Sequence, residues 1–299
     1  MREVGKIKPI GQEYSMETIT FLIQAPDQKG LVSRISTFFY ERGFNILNCR
    51  EHVDLLANQY FMRVHLDMGD LGTSRKELEE GFGDFCKELE LQWSVHYSNQ
   101  PTRVALMVTK APHCLYDILV RHEQNELKCD IPMIISNHPD LEPIADKFRV
   151  PFYCISINGQ RDKKAQENEI RELLKKQHID LVVLARYMQI LSKSFTEEYF
   201  GRIINIHHAF LPAFKGANPY RNAYNRGVKM IGATAHYATA ELDAGPIIEQ
   251  DVQRVNHQHT PDHLAQIGAD IERIVLARAV KAHLESRIIV HGNKTVVFA

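Results

Sequence analysis

An amide and an imidazole lie two positions apart at the end of an apolar segment, residues 203–207. The segment is typical of a buried strand, and residues two apart in a strand point to the same face. An asparagine amide can donate a hydrogen bond to a carbonyl oxygen, and histidine can give or take a proton near neutral pH. Asn205 and His207 are therefore candidate catalytic residues for chemistry at a carbonyl group. A strand end whose polar groups are merely capped by hydrogen bonds is the alternative, and the spacing leaves both interpretations open.

A second set of polar residues follows further along the chain. Asp243 lies in the segment 240–246, where Gly245-Pro246 indicates a turn. Thr234 and His236 alternate on the preceding apolar segment, so they also share one face of a strand. Asp243 could support catalysis or could simply hydrogen-bond the turn. Thr234 and His236 could equally be ordinary surface residues of a strand.

Composition limits the classes of protein to which the chain can belong. A formal net charge of −1 gives no field to attract nucleic acid or a membrane surface, so neither partner is expected. The fifteen histidines show no metal-ligand spacing such as HExxH, and no metal site is predicted. Five cysteines without a CxxC pair are typical of reduced thiols. Because there is also no signal-peptide pattern and no apolar run of about 18 residues, we expect a cytoplasmic protein.

The N-terminal part of the chain alternates between strand and helix patterns. The order βαββαβ predicts a ferredoxin-like sandwich in a domain formed by residues 1–97. Residues 98–102, which include Pro101, are expected to form a linker. The predicted strands are residues 18–24, 46–52, 59–66 and 91–97, and the predicted helices begin at Leu31 and cover residues 75–89.

Residues 103–299 show a different pattern, in which short apolar segments alternate with polar, helix-forming ones. Near-continuous apolar runs such as residues 181–185 are typical of strands buried on both faces of a parallel sheet. A β-hairpin over residues 230–237 and 246–251 and a long helix over residues 261–285 are predicted to follow. The pattern predicts an α/β domain with an open, mostly parallel, Rossmann-like sheet, in which ligands bind beyond the carboxyl ends of the strands. The predicted parallel strands are residues 104–108, 131–136, 152–155, 181–185 and 203–207.

Three motifs together resemble the formyl-folate transferase superfamily. They are Asn205-Ile206-His207, Leu211-Pro212-Ala213-Phe214-Lys215-Gly216 and Leu242-Asp243-Ala244-Gly245. The resemblance covers most of residues 103–299 and implies that Asn205 and His207 face a formyl group while Asp243 organises a water. It also implies that Thr234 and His236 support these residues, and that two segments bind the pterin ring of the substrate. The implied substrate-binding residues are Met188, Gln189, Ile190, Leu191, Ala240 and Glu241.

The N-terminal domain resembles an ACT domain, through residues 26–32 and 43–46. The resemblance implies pairing between copies and binding of an amino-acid effector, so we expect a homo-oligomer, either a dimer or a tetramer. Phe61, Arg63 and His65 lie opposite the core residues of their strand, which would leave them free for a partner. An oligomerisation module without a ligand is the alternative.

The segment after the first strand of the second domain bears on which molecule accepts the formyl group. Transferases that act on glycinamide ribonucleotide resemble this chain but carry a glycine-rich loop there, whose backbone N–H groups bind the substrate phosphate. Here the segment is Lys110-Ala111-Pro112-His113, which has no glycine, and Pro112 lacks an N–H. No basic patch suited to tRNA is evident. With neither amine acceptor provided for, water is the expected nucleophile.

An ACT domain ahead of a formyltransferase-like domain resembles the formyltetrahydrofolate deformylase family. The resemblance implies hydrolysis of 10-formyltetrahydrofolate by water to formate and tetrahydrofolate, with a role in one-carbon and purine metabolism. The formyl group supplies the electrophile, so neither a metal nor a cofactor is expected. A formyltransferase that uses an amine acceptor such as glycinamide ribonucleotide is the alternative.

Overall fold

The computed structural model describes residues 17–69, 74–156, 163–212 and 219–299. The chain divides into two compact units, Met1–Gln100 and Pro101–Ala299. The division falls inside the segment expected to be a linker, and the first strand of the second unit begins at Thr102. Residues 213–216 of the second motif lie outside the described residues. None of the helices in the described part of the chain combines the length and apolar character needed to cross a membrane.

The first unit has the βαββαβ order that the sequence predicts. Its elements are β1 (Thr18–Pro26), α1 (Leu31–Tyr40), β2 (Asn45–Asp54), β3 (Gln59–Asp67), α2 (Arg75–Glu88) and β4 (Gln92–Tyr97). The strands pair in the order β2-β3-β1-β4, and every pair is antiparallel. The ferredoxin-like prediction for this unit is therefore confirmed.

The two helices pack on the sheet of the first unit through apolar residues at helical spacing. Leu31, Ile35 and Phe39 are buried from α1, and Phe82 is buried from α2. The Phe82 ring lies 4.7 Å, centroid to centroid, from the ring of Phe21 on β1. An aromatic pair of this kind adds about 0.5–1.5 kcal/mol to the stability gained from burial alone.

Of the β3 residues expected to be free for a partner subunit, Phe61 and His65 already contact other side chains of the same chain. Phe61 is buried, with 1% of its surface exposed, and its ring stacks on His52 at a centroid distance of 6.1 Å. His65 is half-buried, and its Nδ1 lies 2.9 Å from Oγ1 of Thr20. The expectation that Phe61 is free is therefore wrong. A pattern of period two assigns a residue to a face of the sheet but does not show what covers that face.

The second unit is an α/β structure that ends in a small hairpin. A short 3₁₀ turn, Pro139–Leu141, precedes its second helix. The elements are β5 (Thr102–Val108), α3 (His113–Glu123), β6 (Cys129–Ser136), α4 (Glu142–Phe148), β7 (Phe152–Cys154), α5 (Lys163–Lys176), β8 (Leu181–Leu184), α6 (Lys193–Glu198), β9 (Ile203–His207), α7 (Pro219–Arg226), β10 (Met230–Tyr237), β11 (Ile247–Arg254), α8 (Pro261–Leu284), β12 (Ile288–His291) and β13 (Lys294–Val297).

Seven strands form the main sheet, in the order β11-β10-β9-β8-β5-β6-β7. The strands from β9 to β7 are parallel, and β10 and β11 add an antiparallel edge, as predicted. The chain moves outward from β5 to β6 and β7, and then returns to the other side of β5 as β8. This reversal of strand order between β5 and β8 opens a crevice at their carboxyl ends, where ligands bind in sheets of this kind.

Helices cover both faces of the main sheet. Leu106 and Val108 of β5 pack with residues of α3 and α8, whereas Ala105 and Met107 pack with residues of α5 and α6. This double burial is the reason for the near-continuous apolar runs in the sequence. The terminal pair β12 and β13 was not predicted, because strands of four residues are too short to show a clear period.

Candidate active site

Strands β9 and β10 bring four polar side chains to one face of the sheet. In their antiparallel pairing, Asn205 lies opposite His236, and His207 lies opposite Thr234. Residues directly opposite each other in an antiparallel pair project to the same face. The two alternating pairs seen in the sequence therefore converge at the carboxyl end of β9.

The loop between β10 and β11 brings Asp243 to this group. Oδ1 of Asp243 lies 3.2 Å from Nδ1 of His207 and 3.8 Å from Nε2 of His236. The backbone of Asp243 has a φ of +55°, in the left-handed region that Asp and Asn tolerate better than most residues. The three residues assigned to catalysis from the sequence thus lie around one point.

Gly245 allows the loop between β10 and β11 to pass close to the backbone of β10. A Cβ atom at Gly245 would lie 1.8 Å from the carbonyl oxygen of Tyr237, so a larger residue requires the backbone to move. Next to it, the N–H of Tyr237 donates to the carbonyl oxygen of Pro246 at 2.9 Å. The turn-forming residues noted in the sequence therefore set the position of Asp243.

Opposing effects act on the pKa of Asp243. Burial raises it, but contacts with the rings of His207 and His236 lower it by more, so this pKa lies well below the ordinary value of 3.8. Asp243 is therefore ionised at neutral pH and can only accept hydrogen bonds. It follows that Nδ1 of His207 carries a proton in this contact.

The other nitrogen of His207 is available to a ligand. Nε2 is buried and has no hydrogen-bond partner within the described ranges. Buried polar atoms are almost always hydrogen-bonded, and those that are not commonly mark functional positions. His207 lines a cleft, so a substrate atom bound there can satisfy Nε2.

His236 orients the side chain of Asn205. Nδ1 of His236 lies 2.9 Å from the carbonyl oxygen of Tyr237, and because a carbonyl only accepts, Nδ1 carries a proton. In the neutral ring Nε2 is then an acceptor, and it lies 3.2 Å from Nδ2 of Asn205. The amide uses one N–H for this bond and keeps the second for another acceptor. Protonation of the His236 ring would instead give Asp243 a second donor.

Thr234 holds the backbone of the segment that follows His207. Its hydroxyl donates to the carbonyl oxygen of Ala209 at 2.9 Å and accepts from the N–H of Leu211 at 3.0 Å. It also accepts from Nε2 of Gln250 at 2.9 Å. Thr234 therefore ties the backbone that leaves His207 to strands β10 and β11.

The polar group opens into a cleft of about 250 Å³ beside the carboxyl end of β8. Met188, Ile190 and Leu242 line it and are unusually exposed for apolar residues, as is common in ligand-binding grooves. The N–H of Met188 already donates to Oγ1 of Thr109 at 2.9 Å, which fixes this segment to the end of β5. Of the residues singled out from the sequence, Thr234 does not line the cleft. Those that do are Met188, Gln189, Ile190, Leu191, Asn205, His207, His236, Ala240, Glu241 and Asp243.

A buried ionic network, which the sequence did not reveal, adjoins the cleft. Glu272 of α8 accepts from Nε2 of His113 at 2.8 Å and from the Tyr220 hydroxyl at 2.7 Å. Its Oε2 also lies 3.4 Å from Nε of Arg186, whose Nη1 lies 2.8 Å from Nδ1 of His208. Two signals were present in the sequence: a carboxylate inside the apolar face of a long helix, and an arginine two residues after a buried strand.

One group of side chains in the described ranges has the composition of a metal site. His113, Cys114 and Glu272 offer ligand atoms within 4.8 Å of one another. Glu272, however, is already bound to His113 and to the Tyr220 hydroxyl by hydrogen bonds, and it forms an ion pair with Arg186. Burial, and then the charge of Glu272, raise the pKa of the Cys114 thiol well above its ordinary value, which opposes formation of the thiolate. These residues are therefore satisfied without a metal ion.

The fold and the site define a formyl transferase domain preceded by an ACT domain. Residues 102–280 match the formyl transferase family, and residues 19–80 match the ACT domain family. A formyltetrahydrofolate deformylase from Synechocystis is 51% identical over 94% of this chain and 99% of its own length. The crystal structure of a formyltetrahydrofolate deformylase from Pseudomonas syringae pv. tomato is 43% identical, with a TM-score of 0.93 and 96% coverage of both chains. The chain therefore belongs to the formyltetrahydrofolate deformylase family.

A transferase of the same fold matches a smaller part of the chain. The crystal structure of glycinamide ribonucleotide transformylase 1 from Symbiobacterium toebii is 26% identical, with a TM-score of 0.64. The match covers 68% of this chain and 97% of the transformylase chain. The likeness to the deformylases, by contrast, extends over nearly the whole chain, including the N-terminal unit.

Proposed function

We propose that this chain hydrolyses 10-formyltetrahydrofolate to formate and tetrahydrofolate. The observation that carries the proposal is the contact between His207 and Asp243 beside the amide of Asn205, in a cleft with apolar walls. Membership of the deformylase family supports the same reaction. Each of the three side chains then has a task that its contacts allow.

Two hydrogen-bond donors meet the oxygen of the formyl group. The free N–H of Asn205 and the protonated Nε2 of His207 donate to this oxygen as it becomes anionic. Nδ1 of His207 remains bound to Asp243, whose negative charge stabilises the imidazolium. Donors that are fixed in a site before the charge develops contribute about 10²–10³ each to the rate of acyl transfer.

The carboxylate of Asp243 orients the attacking water. Its low pKa keeps the side chain ionised at neutral pH, so it can accept a hydrogen bond and then a proton from that water. As the new C–O bond forms, one proton of the water passes to Asp243, and it is delivered to N10 as the C–N bond breaks. The remaining hydroxyl proton dissociates when formate leaves.

The end of β5 favours water over an amine acceptor that carries a phosphate. Helix α3 begins at His113, directly after Pro112. Pro112, immediately before it, has no N–H to offer a phosphate. The ring of His113 is held by the buried carboxylate of Glu272. A phosphate cradle built from backbone N–H groups is therefore not favoured here.

We also propose that the reaction needs no metal and no cofactor, and that the ACT domain binds an amino-acid effector in a homo-oligomer. The match of residues 19–80 to the ACT family supports the effector and the assembly. All five cysteines are free thiols, which supports a cytoplasmic location. A contribution to folate balance and to formate supply for purine synthesis would follow from the products.

The test is to incubate the purified full-length chain with 10-formyltetrahydrofolate, a chelator and no amine. Formate and tetrahydrofolate should appear in equal amounts. The matched control is His207→Ala, which should be slower by about 10²–10⁴, the usual contribution of a proton-transfer residue. No formate from the wild-type protein, or an equal rate from His207→Ala, would overturn the proposal. Loss of activity on chelation would overturn the metal-free part alone.

A further inference from the structure

We propose that Arg186 is a positioning residue that keeps His208 neutral, so that the positive charge of the stacked His207–His208 pair resides on His207. The inference rests on the proposed hydrolysis, in which His207 must be protonated to hold the oxyanion. It assigns a task to the second histidine of the motif and to the buried network beside the cleft.

The rings of His207 and His208 compete for a single proton. They stack with a centroid distance of 4.7 Å and an interplanar angle of 22°. Two imidazolium ions at this distance repel each other, so protonation of one ring opposes protonation of the other. The neighbours of each ring therefore decide where the charge resides.

The rings of His207 and His208 contact side chains of opposite charge. Nδ1 of His207 faces the carboxylate of Asp243 at 3.2 Å, which favours the cation. Nδ1 of His208 lies 2.8 Å from Nη1 of Arg186. Because a guanidinium only donates and stays charged, Nδ1 of His208 must be unprotonated to accept this bond. The ring of Tyr220 also lies beside the ring of His208, with 6.5 Å between the two centroids.

The buried carboxylate of Glu272 anchors Arg186. Oε2 of Glu272 lies 3.4 Å from Nε of Arg186, and only 1% of Glu272 is exposed. His113 and Tyr220 bind the same carboxylate, so elements on three sides hold it in place. Arg186 itself has a φ of +66°, a left-handed conformation that is unfavourable for a residue with a side chain. Backbone conformations of this kind are concentrated at functional sites.

The first test is the pH profile of kcat for Arg186→Gln in the full-length chain. The amide of glutamine can accept as well as donate, so it no longer excludes a proton from Nδ1 of His208. The fall of kcat with rising pH should move to lower pH, because a proton on His208 opposes a proton on the stacked ring of His207. Arg186 lines the cleft, but its apolar walls stay in place, so the KM should change less than kcat. A profile identical to that of the wild type would overturn the inference.

A double variant separates this role from a merely structural one. His208→Gln, added to Arg186→Gln, removes the competing imidazole and should return the pH profile to that of the wild type. A double variant that keeps the shifted profile would contradict the inference. Arg278→Gln is the matched control, because it removes an arginine paired with Asp251 on the surface and should leave the profile unchanged.

The second test does not depend on activity or on a variant that folds. Long-range proton–nitrogen correlation spectra of the histidine-labelled wild-type protein show which ring nitrogens carry protons. At a pH of about 6, His208 should carry its proton on Nε2 alone. A doubly protonated His208 overturns the inference even if formate is released. Absence of formate release overturns the hydrolysis instead, and the spectra still report on His208.

Discussion

Nδ1 of His207 lies 3.2 Å from Oδ1 of Asp243, which joins the end of strand β9 to the loop between β10 and β11. This contact keeps Asp243 ionised and directs the second nitrogen of His207 towards the cleft. Asn205 completes the arrangement from the same strand, held by His236. Changes to these side chains should therefore slow the reaction without removing the apolar walls of the cleft.

Replacing Asn205 by Ala should lower kcat by about 10²–10³, because one donor to the oxyanion is lost. Binding of tetrahydrofolate should change little, since the apolar walls of the cleft remain. Initial rates of formate release and titration of tetrahydrofolate measure the two quantities. Asn168→Ala, on the exposed side of α5, is the control and should behave like the wild type. A kcat for Asn205→Ala within a few-fold of the wild type would show that Asn205 is not the donor.

Replacing Asp243 by Asn should abolish formate release while sparing folate binding. The amide keeps the shape of the side chain but cannot take a proton from the water, and it no longer stabilises protonated His207. Formate release and tetrahydrofolate binding, measured on the same preparation, give the result. Substantial formate release by this variant would remove Asp243 from the proposed mechanism.

The same variant should change how stability depends on pH. Because the pKa of Asp243 is lowered in the folded state, its carboxylate stabilises the fold above the ordinary value of 3.8. That contribution is lost as the pH falls from there towards the lower folded-state pKa. The difference in the free energy of unfolding between wild type and Asp243→Asn should therefore shrink below a pH of about 4. Urea denaturation at a series of pH values measures it, and a constant difference would contradict the assignment.

Replacing Gly245 by Ala should cost both stability and activity. The added Cβ would meet the carbonyl oxygen of Tyr237 at 1.8 Å, and overpacking of this kind costs about 1–3 kcal/mol. The loop must shift, so Asp243 moves away from His207 and kcat falls. Gly81→Ala in α2 is the control, because its nearest neighbour would be 3.9 Å away and a helix gains about 1 kcal/mol from this change. Calorimetry and formate release measure both effects; normal activity in Gly245→Ala would refute the packing argument.

Much of the site follows from the sequence because strands have a period of two. The spacing of Asn205 and His207, and of Thr234 and His236, was enough to place each pair on one face. The pairing of the two strands and the approach of Asp243 were not visible in the spacing. They depend on the antiparallel register and on the return of a loop at Gly245. The family resemblance, rather than the local pattern, pointed to Asp243.

Local patterns marked single members of the buried network but could not show that they meet. Arg186 and Glu272 lie far apart in the sequence, and their ion pair exists only because the fold brings α8 beside the segment that follows β8. Each one, taken alone, is a charge beside apolar residues. The burial of Phe61 has the same origin, since only the folded structure shows what covers a face of a sheet.

The most direct measurement is the fate of the formyl group when water and an amine compete. The full-length chain is given 10-formyltetrahydrofolate and glycinamide ribonucleotide together in water enriched with oxygen-18. If water is the nucleophile, the formate carries one heavy oxygen per molecule and negligible formylated nucleotide forms. Formylated nucleotide that accumulates faster than formate, or formate that carries no heavy oxygen, would contradict hydrolysis at this site.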